Sequence, residues 1–240
     1  IASIIPIINF LLVFFYLPET KPSSDSNKSK TIFKNPLKEL FKVFKEEKIK
    51  KLSLAFFIYF IAFTGLTNIL IFFLQESLNW TTKASSGTLV VVGIIAIIVQ
   101  GGLIGPLVKQ FGEMKLTLIG SGFILVACTL LITAPKENAI INIYSAVSFL
   151  AVGAGLITPT LRALISKKLD VDKQGSILSN LQGLQSLGGV LGIAMAGRVY
   201  DSFGPKSPFI AGSVILIFMI YLIAEGKNNN SFNNQKSKVF

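Results

Sequence analysis

Apolar residues in this chain come in long runs separated by short polar turns. Six runs of span length lie at roughly 52–75, 87–108, 116–135, 140–161, 176–197 and 208–224. A helix needs ~20 apolar residues to cross a bilayer, so each run predicts one transmembrane helix. The short connections predict that consecutive helices are antiparallel neighbours. Residues 1–17 are apolar too, with no basic residues before them and no small-residue cleavage site. They read as the end of a further span stopped by Pro18, and not as a signal peptide. Residues 18–51 read as a polar loop. Within that loop Asn35-Pro36 looks like a helix start. Leu37, Leu40, Phe41 and Phe44 follow at the spacing of one helical face, with lysines on the others. That pattern predicts an amphipathic helix lying on a membrane or packed on protein. Residues 226–240 are rich in Asn, Lys and Ser and are expected to be a disordered tail.

The run at 176–197 differs from the others. It carries no charge, yet Gly183, Gly188, Gly189, Gly192 and Gly197 punctuate it, and Asn180, Gln182, Gln185 and Ser186 lie inside it. Gly188, Gly192 and Ala196 form a small-residue row that lets helix backbones approach closely. Gln182 and Gln185, three apart, share a side. Such a helix packs inside a bundle. Its amides either face a wet cavity or only hold helices together.

Charge fixes an orientation. The chain has 240 residues, 51% hydrophobic and 15% charged, with a formal net charge of +11. Of the 23 Lys and Arg residues, 19 fall on alternate connections and only Lys83, Lys136, Arg198 and Lys206 on the others. That asymmetry puts residues 18–51 and the C-terminus in the cytoplasm. It also accounts for the basic balance without a nucleic-acid partner. The lone Cys128 sits in an apolar run and reads as a small buried hydrophobe. There is no histidine and no cluster with metal-ligand spacing, so neither a metal nor a cofactor is expected.

Polar residues within the spans are few: Asn68, Gln100, Ser145, Ser148, Thr158, Asn180, Gln182, Gln185 and Ser186. No Asp or Glu lies mid-span, and no Ser/Lys or metal-ligand pair is present there, which disfavours an intramembrane enzyme. Tyr59, Phe60, Phe63 and Phe72 either line a cavity or face lipid. The span at 140–161 holds Gly153, Gly155 and Pro159, and proline kinks a helix by removing a backbone hydrogen bond. Interrupted spans occur at transporter binding sites and also for purely structural reasons.

The turn Gly105-Pro-Leu-Val-Lys109-Gln-Phe-Gly112-Glu-Met-Lys115 resembles the second copy of the short signature of the major facilitator superfamily. Gly105, Leu107 and Gly112 match it, while Lys109 stands for its Asp and Gln110 for its Arg. Leu17-Pro18-Glu19-Thr20 resembles the end of the sixth helix of drug-efflux members. Leu78-Asn79-Trp80-Thr81, with the run to Val99-Gln100-Gly101-Gly102, resembles their seventh-to-eighth helix region. Gln174-Gly175 with Gln185-Ser186-Leu187, Gly192 and Gly197 resembles their eleventh helix, with Ile193 in place of the usual proline.

The resemblance is to twelve-helix tetracycline and multidrug efflux proteins. It implies an all-α integral membrane fold: the end of helix six (1–17), the central cytoplasmic loop (18–51) and the C-terminal six-helix half (52–225). The missing N-terminal half is then an implied partner, with the lipid bilayer. It implies a secondary transporter working by alternating access, a proton-coupled exporter of small, partly apolar solutes, multi-pass in the plasma (inner) membrane. The rival reading is a non-transporting sensor or interaction protein on a transporter bundle. No catalytic residue is expected. Asn68, Gln100, Ser148, Gln182 and Gln185 are the expected cavity residues. Gly105, Lys109, Gly112, Pro159 and Arg162 are the expected gating positions. Arg162 is either a gate that pairs with Asp170 or Asp172, or a snorkelling topology anchor. Any coupling carboxylate is expected outside this half.

Overall fold

The computed structural model describes Phe15, residues 40–135 and residues 139–236, without the side chains of 171–172 and 226–236. Apart from Phe15, the expected end of a span at 1–17 lies outside the described residues, as does the loop up to residue 39. Residues Pro36–Phe240 make one compact unit, to which the helices between Lys50 and Lys236 belong.

Among the described residues the unit is entirely helical. α1 runs Lys50–Ser77, α2 Thr82–Ile98, α3 Ile104–Ile132, α4 Ile140–Ser166, α5 Val171–Phe203 and α6 Ser207–Lys236. A π-helical segment, Val99–Leu103, joins α2 to α3. The true reversal comes later, at Gly112, whose φ of 75° and ψ of 159° break the helix inside α3. Only glycine enters that backbone region readily. α1 ends on Asn79 at φ 55°, with the Trp80 N–H donating to the Leu74 carbonyl at 3.0 Å. That is a left-handed helix stop of the kind asparagine tolerates. Thr81 then caps α2 by accepting from the Ala84 N–H at 3.3 Å.

Small residues choose which helices meet. Cβ atoms built on Gly188 and Gly192 fall 3.1 Å from the Phe57 carbonyl oxygen and 2.2 Å from that of Ile61, and one on Gly65 falls 3.1 Å from Ala196. Residue numbers rise together along this seam, so α1 and α5 run parallel. A Cβ on Gly153 meets the Gly120 carbonyl at 2.6 Å, and Thr117 bonds Thr160 at 2.9 Å, which makes α3 and α4 antiparallel. Val99 packs on Gly155 and Gly87 lies near Tyr144, so α2 runs parallel to α4. Phe73 packs on Phe209 while Lys51 bonds Glu225 at 2.7 Å, so α6 opposes α1.

The directions therefore alternate as expected, but consecutive helices are mostly not neighbours. Only α3 and α4 pack extensively in sequence. The other main pairs are α1 with α5 and α6, α2 with α4, and α3 with α6. The reason is that short turns fix direction, while glycine rows on non-consecutive helices decide contact.

Two further details differ from the sequence reading. The described part of the expected amphipathic helix is a 3-10 turn, Phe41–Lys45, whose Val43 is fully buried. Leu40 fills the space left by Gly183, and Phe44 packs edge-on to Phe57. α6 continues to Lys236, into the stretch expected to be disordered. Beyond Gly226 no further glycine or proline interrupts it, and extending an existing helix needs no new nucleus.

Among the described residues, four helical stretches are long and apolar enough to cross a membrane: Lys50–Ser77, Thr82–Ile132, Ile140–Ser166 and Ser207–Glu225. The second is two spans folded at Gly112. α5 is not among them, because its glycines and amides lower its hydropathy. This is a multi-pass membrane protein.

Candidate functional site

Arg162, near the end of α4, stands five residues before the Lys167 that follows that helix. Its Nη2 donates to Gln182 Oε1 at 2.7 Å and to Gln185 Oε1 at 2.5 Å, both on α5. Beneath it the Phe56 ring of α1 lies 5.9 Å from the guanidinium carbon. A cation over an aromatic face is attracted by the ring quadrupole. Arg162 is half-buried, Gln185 half-buried and Gln182 exposed. One turn back on α4, Thr158 shares a hydrogen bond of 3.3 Å with the Tyr59 hydroxyl. Tyr59 is fully buried and stacks on the half-buried Phe63, with ring centroids 5.5 Å apart. Three helices thus converge on one polar column: aromatic residues from α1, Thr158 and Arg162 from α4, two amides from α5. Pro159 sits within it and opens the α4 backbone between the two polar contacts.

The remaining expected cavity residues are elsewhere. Asn68, exposed on α1, donates to the Thr64 carbonyl of its own helix at 2.9 Å. Gln100 is exposed in the π-helical segment. Ser148 donates to the Tyr144 carbonyl at 2.8 Å. It lines an open depression of about 420 Å³ with Phe123, Tyr144, Ser145, Phe149 and Val152. Phe60 is buried, and Phe72 is 57% exposed on the outer surface of α1.

The turn at Gly112 carries its own contact. Gly105 and Lys109 are exposed, and nothing lies within 4 Å of a Cβ built on Gly105. The ion pair at this turn is formed instead by Glu113, which accepts from Lys167 just beyond α4. The Lys167 hydrogen bond holds the Glu113 carboxyl below its ordinary pKa. Partial burial pushes the neighbouring Lys168 down from its own. Lys51–Glu225 at 2.7 Å and Lys173–Glu46 at 3.8 Å lie at the same end of the bundle, where the alternation of directions gathers the basic connections.

Sequence reasoning missed the Phe56 platform and the Glu113–Lys167 pair. Phe56 was hidden among many aromatics of α1. Glu113 was hidden because it lies outside the charge positions of the signature, which fall at Lys109 and Gln110. Arg162 binds the two glutamines; of the partners expected for it, Asp170 is exposed and makes no bond to it, and the Asp172 side chain lies outside the described residues.

A family model, the Major Facilitator Superfamily, matches residues 1–193. The chain belongs to the major facilitator superfamily. Among curated members of that superfamily, it is 27% identical over 133 residues to the tetracycline resistance protein, class H, of Pasteurella multocida, a match covering 55% of this chain and 32% of that one. It is 20% identical over 251 residues to the human hippocampus abundant transcript-like protein 1, covering 93% of this chain and 49% of that protein. Among solved structures, the human organic anion transporter MFSD10 (TETRAN) superposes with a TM-score of 0.75 at 19% identity. That likeness covers 92% of this chain and 55% of that one, and shows the major facilitator fold. The matches span about half or less of the length of those relatives.

Proposed function

We propose that this chain is the C-terminal half-bundle of a secondary transporter that exports small, partly apolar solutes by alternating access. The observation that carries the reading is the Arg162–Gln182–Gln185 cluster. Ionisable groups in membrane helices face the bundle interior or a water-filled cavity and mark pathways or binding sites. Here Arg162 is held by three helices rather than left at a lipid surface. The tetracycline resistance proteins among its relatives favour export over uptake.

In this reading Gln182 and Gln185 line the pathway and Arg162 anchors its wall. Asn68, Gln100 and Ser148 contribute only as the wall extends toward α1, α2 and α3. Gly105, Lys109, Gly112 and Pro159 let segments swing between two arrangements, with Glu113–Lys167 as the contact made in one of them. No Asp or Glu lies inside the six spans, so proton coupling draws its carboxylate from a second half-bundle. The lysine asymmetry favours a cytoplasmic C-terminus in a plasma (inner) membrane.

The test is solute flux in proteoliposomes made with the intact protein, against liposomes holding an unrelated helical bundle. Flux above that control with an imposed pH gradient is the expected result. No flux across a broad panel of drugs and metabolites favours the sensor reading.

A further inference from the structure

We infer that the Arg162 site takes a small organic anion. The inference rests on the transporter reading of the same cluster and adds the substrate class. Arginine carries five N–H donors and no acceptor. The two glutamine oxygens account for both hydrogens of Nη2. Nη1 and Nε have no acceptor among the described residues, and neither is sealed from the surroundings as a buried unpaired atom.

The glutamines sharpen this bias. Arginine can only donate, so each amide must turn its oxygen toward Arg162 and its NH2 away. Neither Nε2 has a partner among the described residues. The cluster thus offers Nη1, Nε and two amide NH2 groups, and its two acceptor oxygens are turned inward onto Arg162. A surface of donors around a fixed positive charge selects an acceptor of negative charge.

Among the described residues, no carboxylate bonds to Arg162. Among the described residues, Glu46, Glu47, Glu113 and Glu225 pair with lysines, and Glu76 accepts from Tyr200. Asp170 is exposed and forms no contact with Arg162. The Phe56 ring and the two amides fix the guanidinium, so little ordering remains to be done when an anion arrives.

The probe pair is naphthoate and naphthamide, which share size and aromatic surface and differ in charge. Equilibrium binding is measured on the intact protein in phosphatidylcholine nanodiscs. Naphthoate is expected to bind about tenfold tighter or more, as a charge-assisted hydrogen bond allows. Gln185→Glu supplies an internal counter-charge of nearly the same shape. It is expected to abolish the naphthoate preference, so that naphthoate binds no tighter than naphthamide in this variant. Arg162→Gln is expected to do the same, and Gln185→Glu keeps the test alive if that variant does not fold.

Equal affinities in the parent protein, or a preference that survives Gln185→Glu, overturn the inference. So does competitive loss of naphthoate when phosphatidylglycerol is added to the discs, which assigns the cluster to a lipid headgroup. A naphthoate preference without flux of any solute keeps the anion site and removes the transporter reading. Equal flux of both probes keeps the transporter and removes the anion site.

Discussion

Gly192 packs so closely on α1 that a Cβ built on it falls 2.2 Å from the Ile61 carbonyl oxygen. That oxygen belongs to a helix backbone and cannot swing aside. Gly192→Ala is expected to force α1 and α5 apart and cost about 1–3 kcal/mol, the usual range for overpacking. Gly197, on the same helix, has nothing within 4 Å of its built Cβ. Gly197→Ala is expected to stabilise by about 0.5–1 kcal/mol, since glycine weakens a helix interior. Thermal unfolding of the two variants in one detergent checks both, and a Gly192→Ala melting point at or above the parent's contradicts the seam.

Arg162 and Gln185 are predicted to act as a unit. Arg162→Gln and Gln185→Leu should each slow transport, and the double variant should be barely slower than the worse single one. Coupling between directly bonded residues is about 0.5–3 kcal/mol. Initial rates for the four proteins give the cycle directly, and simple additivity of the two effects removes the pairing. A Gln185→Leu protein with normal rates across a broad panel removes the α5 cavity altogether.

The Glu113–Lys167 pair predicts a pH dependence. Lys167 lowers the folded-state pKa of Glu113, so the pair's contribution is present above the ordinary carboxylate value. It is lost as pH falls through the lowered one. The pair lies at the surface, so the effect is small, ~0.2–1 kcal/mol. Glu113→Gln should melt slightly below the parent at neutral pH and together with it in acid. The exchange Glu113→Lys with Lys167→Glu should restore part of the loss, and Glu113→Lys alone should be worst.

Asn79 offers a local test. At φ 55° it sits where a β-branched residue does not fit. Asn79→Val is predicted to cost about 1–2 kcal/mol through left-handed strain, and Asn79→Gly to be neutral or mildly stabilising. Melting points of the two variants decide it, and an Asn79→Val protein as stable as the parent argues against this helix stop.

Much of this fold is written plainly in the chain. Every helix from α1 to α6 follows from an uncharged run of span length, and all but α5 from a strongly apolar one, because lipid imposes one length and one pattern on a crossing helix. Gly188, Gly192 and Ala196 announced a seam, and Gln182 with Gln185 announced a polar face. The partners of those faces were not readable. That Gly192 meets Ile61, and that Arg162 meets two amides, depends on which non-consecutive helices pack, and no local pattern encodes that choice. The 3-10 turn at Phe41–Lys45 was misjudged for a related reason. Its apolar spacing suits a helix, but the gap at Gly183 that Leu40 fills lies far along the chain.

The low hydropathy of α5 bears on how the protein is made. Its neighbours are greasy enough to enter the bilayer as they leave the insertion machinery, whereas α5 carries Asn180, Gln182, Gln185 and a row of glycines in their place. It becomes a comfortable resident only once α1 covers its glycines and Arg162 engages its amides, and both of those are synthesised earlier. The helix that bears the proposed binding groups is therefore the one whose entry reports that the helices before it are already in position. A defect in α1 or α4 will surface during biogenesis as a failure to accept α5, ahead of any loss of activity.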